Sequence, residues 1–192
     1  MQDNIIVKPS VEKQFDRFLR QGRVLFFSAP CGFGKTAVAE ALLSSREVLC
    51  LSADSAGFKL PSAEADWQIL LLDDLQDMQE EQDWNALCEL IRACPERRFV
   101  LLSRGTPPGS LMAFQYTGLM TVLEADDLLF DADDVRRLFQ LSGANVTDSE
   151  IDGILKESVG YPLGVAITEM CIRDRWMRCV VQSRCSSRRR TC

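Results

Sequence analysis

Histidine is absent from the 192-residue chain. With it go two classes of chemistry, a histidine-assisted nucleophile and every mixed cysteine/histidine zinc site. Long hydrophobic runs are absent too. No purely apolar stretch exceeds four residues, the length of Ile69 to Leu72, whereas a bilayer-spanning helix needs about 20. The start, Met1-Gln2-Asp3-Asn4, lacks the basic region of a signal peptide, so a soluble cytoplasmic protein with no membrane partner is expected. Eight cysteines are present, but Cys31, Cys50, Cys88 and Cys94 form no Cys-x-x-Cys pair and read as small core or loop residues of a reduced protein. The apolar fraction of 46% and charged fraction of 26% are those of a globular chain able to bury a sizeable core.

Positive charge is scarce outside the C-terminus. Residues 170–192 hold seven arginines against Asp174, while the body before them carries 15 basic and 27 acidic residues, a net of −12. Such a body repels nucleic acid at long range, and duplex binding by it is not expected. The Cys/Arg-rich tail 170–192 is open to two readings, a basic arm or a non-native junction. Its abrupt change of composition after a regular helix favours the second.

What the chain does have is a strand, a glycine-rich turn and a helix in immediate succession. Val24-Leu25-Phe26-Phe27 reads as a buried strand, Ala37 to Leu43 as a helix, and Ala29-Pro30-Cys31-Gly32-Phe33-Gly34-Lys35-Thr36 lies between them. Successive backbone N–H groups and a helix N-terminus at such a turn form an anion cradle. On this reading residues Pro30 to Ala37 bind a nucleotide. Gly32 and Gly34 let the backbone curl around a phosphate, Lys35 reaches the β- and γ-phosphates, and the Thr36 hydroxyl ligates Mg²⁺. The pattern is a relaxed Walker A loop, with Ala29 at the first position instead of glycine. The competing reading is a plain strand-to-helix turn with an incidental Lys-Thr.

Strands and helices alternate along the rest of the chain. Val11, Phe15, Phe18 and Leu19 share one helical face; strands are expected at Glu47 to Leu51, Trp67 to Asp74, Phe99 to Arg104 and near Thr121 to Leu123. A helix carrying Trp84, Leu87, Cys88 and Ile91 lies between the third and fourth strands, and residues 52 to 66 read as a loop. Buried strands separated by helices predict a mainly parallel sheet flanked by helices, with ligands at the strand carboxyl ends. Asp73 and Asp74 stand at such an end. Asp73 is suited to hold Mg²⁺ opposite Thr36, and Asp74 to orient or deprotonate an attacking water; alternatively the pair simply ends a strand in solvent. Arg104 stands at the end of the next strand, where a guanidinium can meet a γ-phosphate or merely face water.

With these elements in order, the chain resembles the signal-transduction ATPases with numerous domains (STAND). The similarity is to the P-loop NTPase module of large LuxR-type, maltose-activator-like transcriptional regulators. The resemblance rests on Ser28 to Thr36, on Leu70-Leu71-Leu72-Asp73-Asp74, on Phe99 to Pro107, on Asp127-Leu128-Leu129-Phe130 and on Gly160-Tyr161-Pro162. It implies a P-loop domain over residues 1–125, a small helical subdomain over 126–169, and ATP or ADP with Mg²⁺ as ligands. It also implies that Pro162 packs near the adenine and that Ile5-Ile6-Val7 flanks the base. From the residues alone, Gly160-Tyr161-Pro162 is a helix stop after the capping box Thr147-x-x-Glu150. Two departures stand out. Only residues 52 to 68 separate the second and third strands, where the family places a longer segment with a helix. The regions that would sense an inducer and bind DNA are not in this sequence, so a fragment of a larger regulator is expected. The function expected is a slow ATPase used as a switch, with Lys35, Asp73, Asp74 and Arg104 in the catalytic roles and self-association in the ATP state. The alternative is an AAA+-like ATPase motor acting on protein or nucleic acid. A nucleotide kinase is less well supported for want of an Arg-rich acceptor lid.

Overall fold

The computed structural model describes residues 5–173. They fall into two compact units, Val7–Leu128 and the remainder, referred to below as the sheet unit and the helical unit.

The sheet unit runs α1 (Pro9–Gln21), β1 (Val24–Ser28), α2 (Lys35–Leu43), β2 (Val48–Ser52), β3 (Ile69–Asp73), α3 (Glu81–Ala93), β4 (Arg98–Ser103), α4 (Met112–Tyr116), β5 (Met120–Glu124) and α5 (Ala125–Leu128). All five strands are parallel, in the order β2-β3-β4-β1-β5, which is the helix-flanked parallel sheet that the aliphatic runs predict. Side chains alternate across it, as the two-residue period of a strand requires. Val24, Phe26, Leu70, Leu72, Phe99 and Leu101 pack with Leu87 and Ile91 of α3. On the opposite face Leu25, Phe27, Leu71, Val100 and Leu102 pack with Val11, Phe15 and Phe18 of α1 and with Val38 and Ala39 of α2. β1, β3 and β4 are therefore apolar on both faces over Val24–Phe27, Ile69–Leu72 and Phe99–Leu102, and each large side chain buried there contributes about 1.5–3 kcal/mol.

Several boundaries differ from the sequence reading: α2 begins two residues earlier, at Lys35, and β4 begins and ends one residue earlier than expected. β2 begins and ends one residue later than expected, and β3 is shorter than the run Trp67 to Asp74. Trp67 lies before β3 and stacks edge-on against Phe99, with ring centroids 5.5 Å apart at 81°. The Arg97 guanidinium sits 4.2 Å over the indole, a cation–π contact. This packing belongs to the connection from β2 to β3, in which residues 53–68 contain no helix. Phe58 and Leu60, together with Trp67, pack against the core from that connection and supply the apolar cover that a crossover helix otherwise gives.

The helical unit contains α6 (Ala132–Leu141), α7 (Asp148–Ser158) and a helix α8 over residues 162–173. Ile6, Val135, Leu138, Phe139, Ile151, Ile154 and Val165 form its core. α7 starts with the expected box, Thr147 accepting from the Glu150 N–H and Glu150 accepting in return. α6 uses Asp131 and Asp134 in the same reciprocal way. α7 is capped at its C-terminus by Val159, with φ 51°, followed by Gly160 with φ 75°. The Phe130 N–H donates to the Gly160 carbonyl at 2.8 Å, so the chain doubles back against its own backbone there. Of the tail expected at 170–192, residues 170–173 belong to α8 and the rest lie outside the described residues.

Candidate functional site

The turn between β1 and α2 has the backbone its glycines were expected to give. Gly32 and Gly34 hold φ at 82° and 75°, the left-handed region that glycine enters without a steric penalty. α2 begins at Lys35 with no side-chain cap, and the first-turn N–H groups of a helix have no intrahelical acceptor. These residues open onto a cavity of about 370 Å³. Residues 31–37 other than Phe33 line it, together with Asp73, Asp74, Gln76 and Arg104.

Lys35 is 9% exposed. Its Nζ donates to the carbonyls of Ala29 at 2.7 Å and Pro30 at 3.0 Å, which keeps the ammonium hydrogen-bonded at the start of the loop. Burial lowers its pKa from the ordinary lysine value, opposed chiefly by the negative charge of Asp73. Pro30 has no N–H and takes part through its carbonyl. Phe33 packs against the core beneath α1 and α2, so its side chain anchors the loop.

Thr36 Oγ1 donates to Asp73 Oδ2 at 2.7 Å. The contact is not one that neighbouring strands would make, because β4 lies between β1 and β3, a gap of about 10 Å at ordinary strand spacing. The first turn of α2 closes it. Asp73 Oδ1 accepts the Asp74 N–H at 2.7 Å. A hydroxyl and a carboxylate are hard oxygen ligands of the kind Mg²⁺ takes. Among the described residues no cluster of three or more Cys, Asp or Glu side chains could hold a metal unaided. A Mg²⁺ ion here fits as one bound by Thr36, Asp73 and phosphate oxygens, where it would neutralise phosphate charge.

Asp74 has φ 54° and ψ 37°, a left-handed conformation that Asp tolerates better than most residues. Its Oδ1 accepts from Gln76 Nε2 at 2.9 Å and faces the Arg104 guanidinium at 3.4 Å. Its Oδ2 lies 3.2 Å from Ser52 Oγ, which also reaches Asp54 Oδ1 at 2.6 Å; the single hydroxyl proton serves one of them at a time. Arg104, at 57% side-chain exposure, is free to change partners at little cost, since exposed ion pairs contribute about 0–1 kcal/mol.

The structure thus places Cys31, Gly32, Gly34, Lys35, Thr36, Ala37, both acids and Arg104 around one cavity, whereas Pro30 and Phe33 do not line it. Pro162 is buried in the first turn of α8, in the helical unit. Two polar neighbours escaped the sequence reading. Ser52 ends β2 in register with Asp73, and the rule that ligands gather at strand carboxyl ends, applied to β2, points to it. Gln76 lies in the short 3-10 turn Leu75–Asp77, two residues past the acidic pair, where nothing in its spacing marks it.

The chain matches no protein-family model and no curated protein. Solved structures do share its architecture. A RuvB variant from Thermotoga maritima matches over 92% of this chain at 18% identity with a TM-score of 0.63. AMPPCP-bound DnaA from Aquifex aeolicus matches over 90% at 18% identity with a TM-score of 0.61. A Walker-type ATPase of Pyrococcus abyssi matches over 97% at 13% identity with a TM-score of 0.58. The present chain spans 64% of that RuvB chain and 64% of that DnaA chain. The glycine turn after β1, the acids at the end of β3 and this shared architecture together give the chain the fold of the P-loop NTPases.

Proposed function

We propose that the chain is an ATP/ADP-binding switch module, hydrolysing ATP slowly, of a signal-responsive transcriptional regulator. The observation that carries the nucleotide part is the convergence of Lys35, Thr36, Asp73, Asp74 and Arg104 on one cavity, with Thr36 and Asp73 joined at 2.7 Å across an intervening strand. In this reading the loop amides and Lys35 bind the phosphates, and Thr36 with Asp73 holds the Mg²⁺ that phosphates bring. Asp74 directs the attacking water, and Arg104 distinguishes a γ-phosphate from its absence. That the DnaA neighbour carries AMPPCP, an ATP analogue, in a related fold supports nucleotide as the ligand.

The regulatory part rests on the likeness of the phosphate loop, the acidic strand end and the Gly160-Tyr161-Pro162 segment to LuxR-type STAND regulators. A nucleotide drives a switch only by binding two states with different affinity. Here ATP favours a self-associating state and ADP restores a closed one, while inducer and DNA act through regions beyond this sequence. Pro162 is assigned to the adenine on the same resemblance.

One observation favours a second reading, an AAA+-like motor: a neighbour of the same fold, DnaA, is bound to AMPPCP and single-stranded DNA. Turnover separates the two. A switch retains ADP and hydrolyses slowly with or without polymer, whereas a motor turns over steadily and faster when its substrate is added. The acidic pair tests the site itself. Asp73→Asn is expected to impair Mg-dependent ATP binding, whereas Asp74→Asn preserves binding and slows hydrolysis; equal loss of binding in both overturns the division of roles.

A further inference from the structure

We infer that Gln76 is a positioning residue, setting the carboxylate of Asp74 and the main chain of Arg104 with one side-chain amide. The inference rests on the roles proposed above for Asp74 and Arg104 and adds what holds them in place. Gln76 Nε2 donates to Asp74 Oδ1 at 2.9 Å and to Asp77 Oδ2 at 3.3 Å, and Gln76 Oε1 accepts the Arg104 N–H at 3.2 Å. The two residues it joins follow different strands, β3 and β4. An amide is suited to that task because it donates from one end and accepts at the other. Leu75, in the same turn, is fully buried, which fixes the main chain from which Gln76 extends.

Division of labour follows from the geometry. The Arg104 guanidinium touches Asp74 at 3.4 Å and is mostly exposed, so it can leave for a phosphate. When it leaves, Gln76 still holds the Asp74 carboxylate and the Arg104 backbone. Without that amide, Asp74 would keep only its contact with Ser52, a hydroxyl shared with Asp54. A carboxylate that must direct a water loses rate steeply when its orientation is free.

Gln76→Glu gives a specific signature. It preserves shape and the acceptor facing the Arg104 N–H, but removes the donor to Asp74 and adds a second acid. The charged groups around the position are Asp73, Asp74 and Asp77 from β3 and the turn after it, Asp54 after β2, Lys35 of α2, and Arg104. The acids outnumber the cations and Asp74 is in direct contact, so the introduced carboxyl holds its proton above the usual carboxylate range. Once protonated, it donates to Asp74 again.

The test uses the full chain with Mg-ATP, measuring affinity by calorimetry and hydrolysis from about pH 6 to about pH 8 for the parent, Gln76→Glu and Gln76→Ala. Both variants are expected to bind ATP within about threefold of the parent and to show kcat lower by about tenfold or more near pH 8. Relative to the parent, Gln76→Glu recovers as pH falls, and Gln76→Ala does not. Parent-like kcat in either variant overturns the inference, as does a Gln76→Glu loss that is the same at every pH, or ATP affinity that falls in step with kcat. A parent that binds and hydrolyses normally beside unaffected variants leaves the proposed function standing and removes only Gln76 from it; a parent without ATP hydrolysis overturns both.

Discussion

Gly34 in the sheet unit and Gly160 in the helical unit both hold φ at 75°, yet a Cβ placed on each meets opposite surroundings. At Gly34 it has no atom within 4 Å; at Gly160 it lies 2.5 Å from the Phe130 carbonyl oxygen. The same dihedral therefore serves two purposes. Gly160 is required by the protein's own backbone, which approaches too closely for any side chain. Gly34 is required only by its turn, and the space in front of it belongs to the cavity that Lys35, Asp73 and Arg104 share. Gly57, Gly118 and Gly143 are also uncrowded at positive φ, so what sets Gly34 apart is its place on the cavity wall and not the open space alone.

The largest effect should come from Gly160→Ala. Left-handed strain and a backbone clash together predict a loss of about 2–4 kcal/mol in unfolding free energy, read by denaturant titration. A loss below about 0.5 kcal/mol, within the range of ordinary surface changes, would erase the contrast. Next is Lys35→Ala, expected to weaken ATP binding at least tenfold, the loss of one charge-assisted contact of about 1.5–3 kcal/mol, without lowering the melting temperature. Unchanged affinity by calorimetry removes the phosphate role of the loop. Gly34→Ala sharpens the comparison directly: about 1–2 kcal/mol of strain, less than at Gly160, together with weaker ATP binding as the methyl enters the cavity. Loss of stability without loss of affinity would make Gly34 a structural glycine like Gly160. The smallest effect is that of Arg104→Ala. Stability should change by less than about 0.5 kcal/mol, while the affinity ratio of ATP over ADP narrows; an unchanged ratio leaves Arg104 a surface residue.

β1, β3 and β4 could be read from sequence because both their faces are covered, which gives each a run of four apolar residues. Their neighbours could not. Nothing in the runs says that β4 inserts between β1 and β3, and that insertion is why the Thr36–Asp73 hydrogen bond depends on α2 for its reach. The cover over the β2–β3 connection was equally hidden, since Phe58, Leu60 and Trp67 lack any period and come together only through tertiary packing. Thr147-x-x-Glu150 was legible as a cap, whereas Asp131 and Asp134 do the same work with a shorter acid that the usual pattern omits. Around the cavity, the loop and the acidic pair carry their chemistry in their residue types. Gln76 and Ser52 do not, because an amide or a hydroxyl acquires meaning only from the partner it meets.

The connection without a helix leads out of a lightly covered strand. β2 is one of the two edge strands, and none of its five residues is buried, whereas β5 at the other edge buries Met120 and Leu123. Local opening therefore exposes the least apolar surface there, and its amides are expected to exchange with solvent before those of β1, β3 and β4. Ser52, the last residue of that strand, travels with it. Opening of that edge would draw the Ser52 hydroxyl away from Asp74 and leave the acid to Gln76 and Arg104.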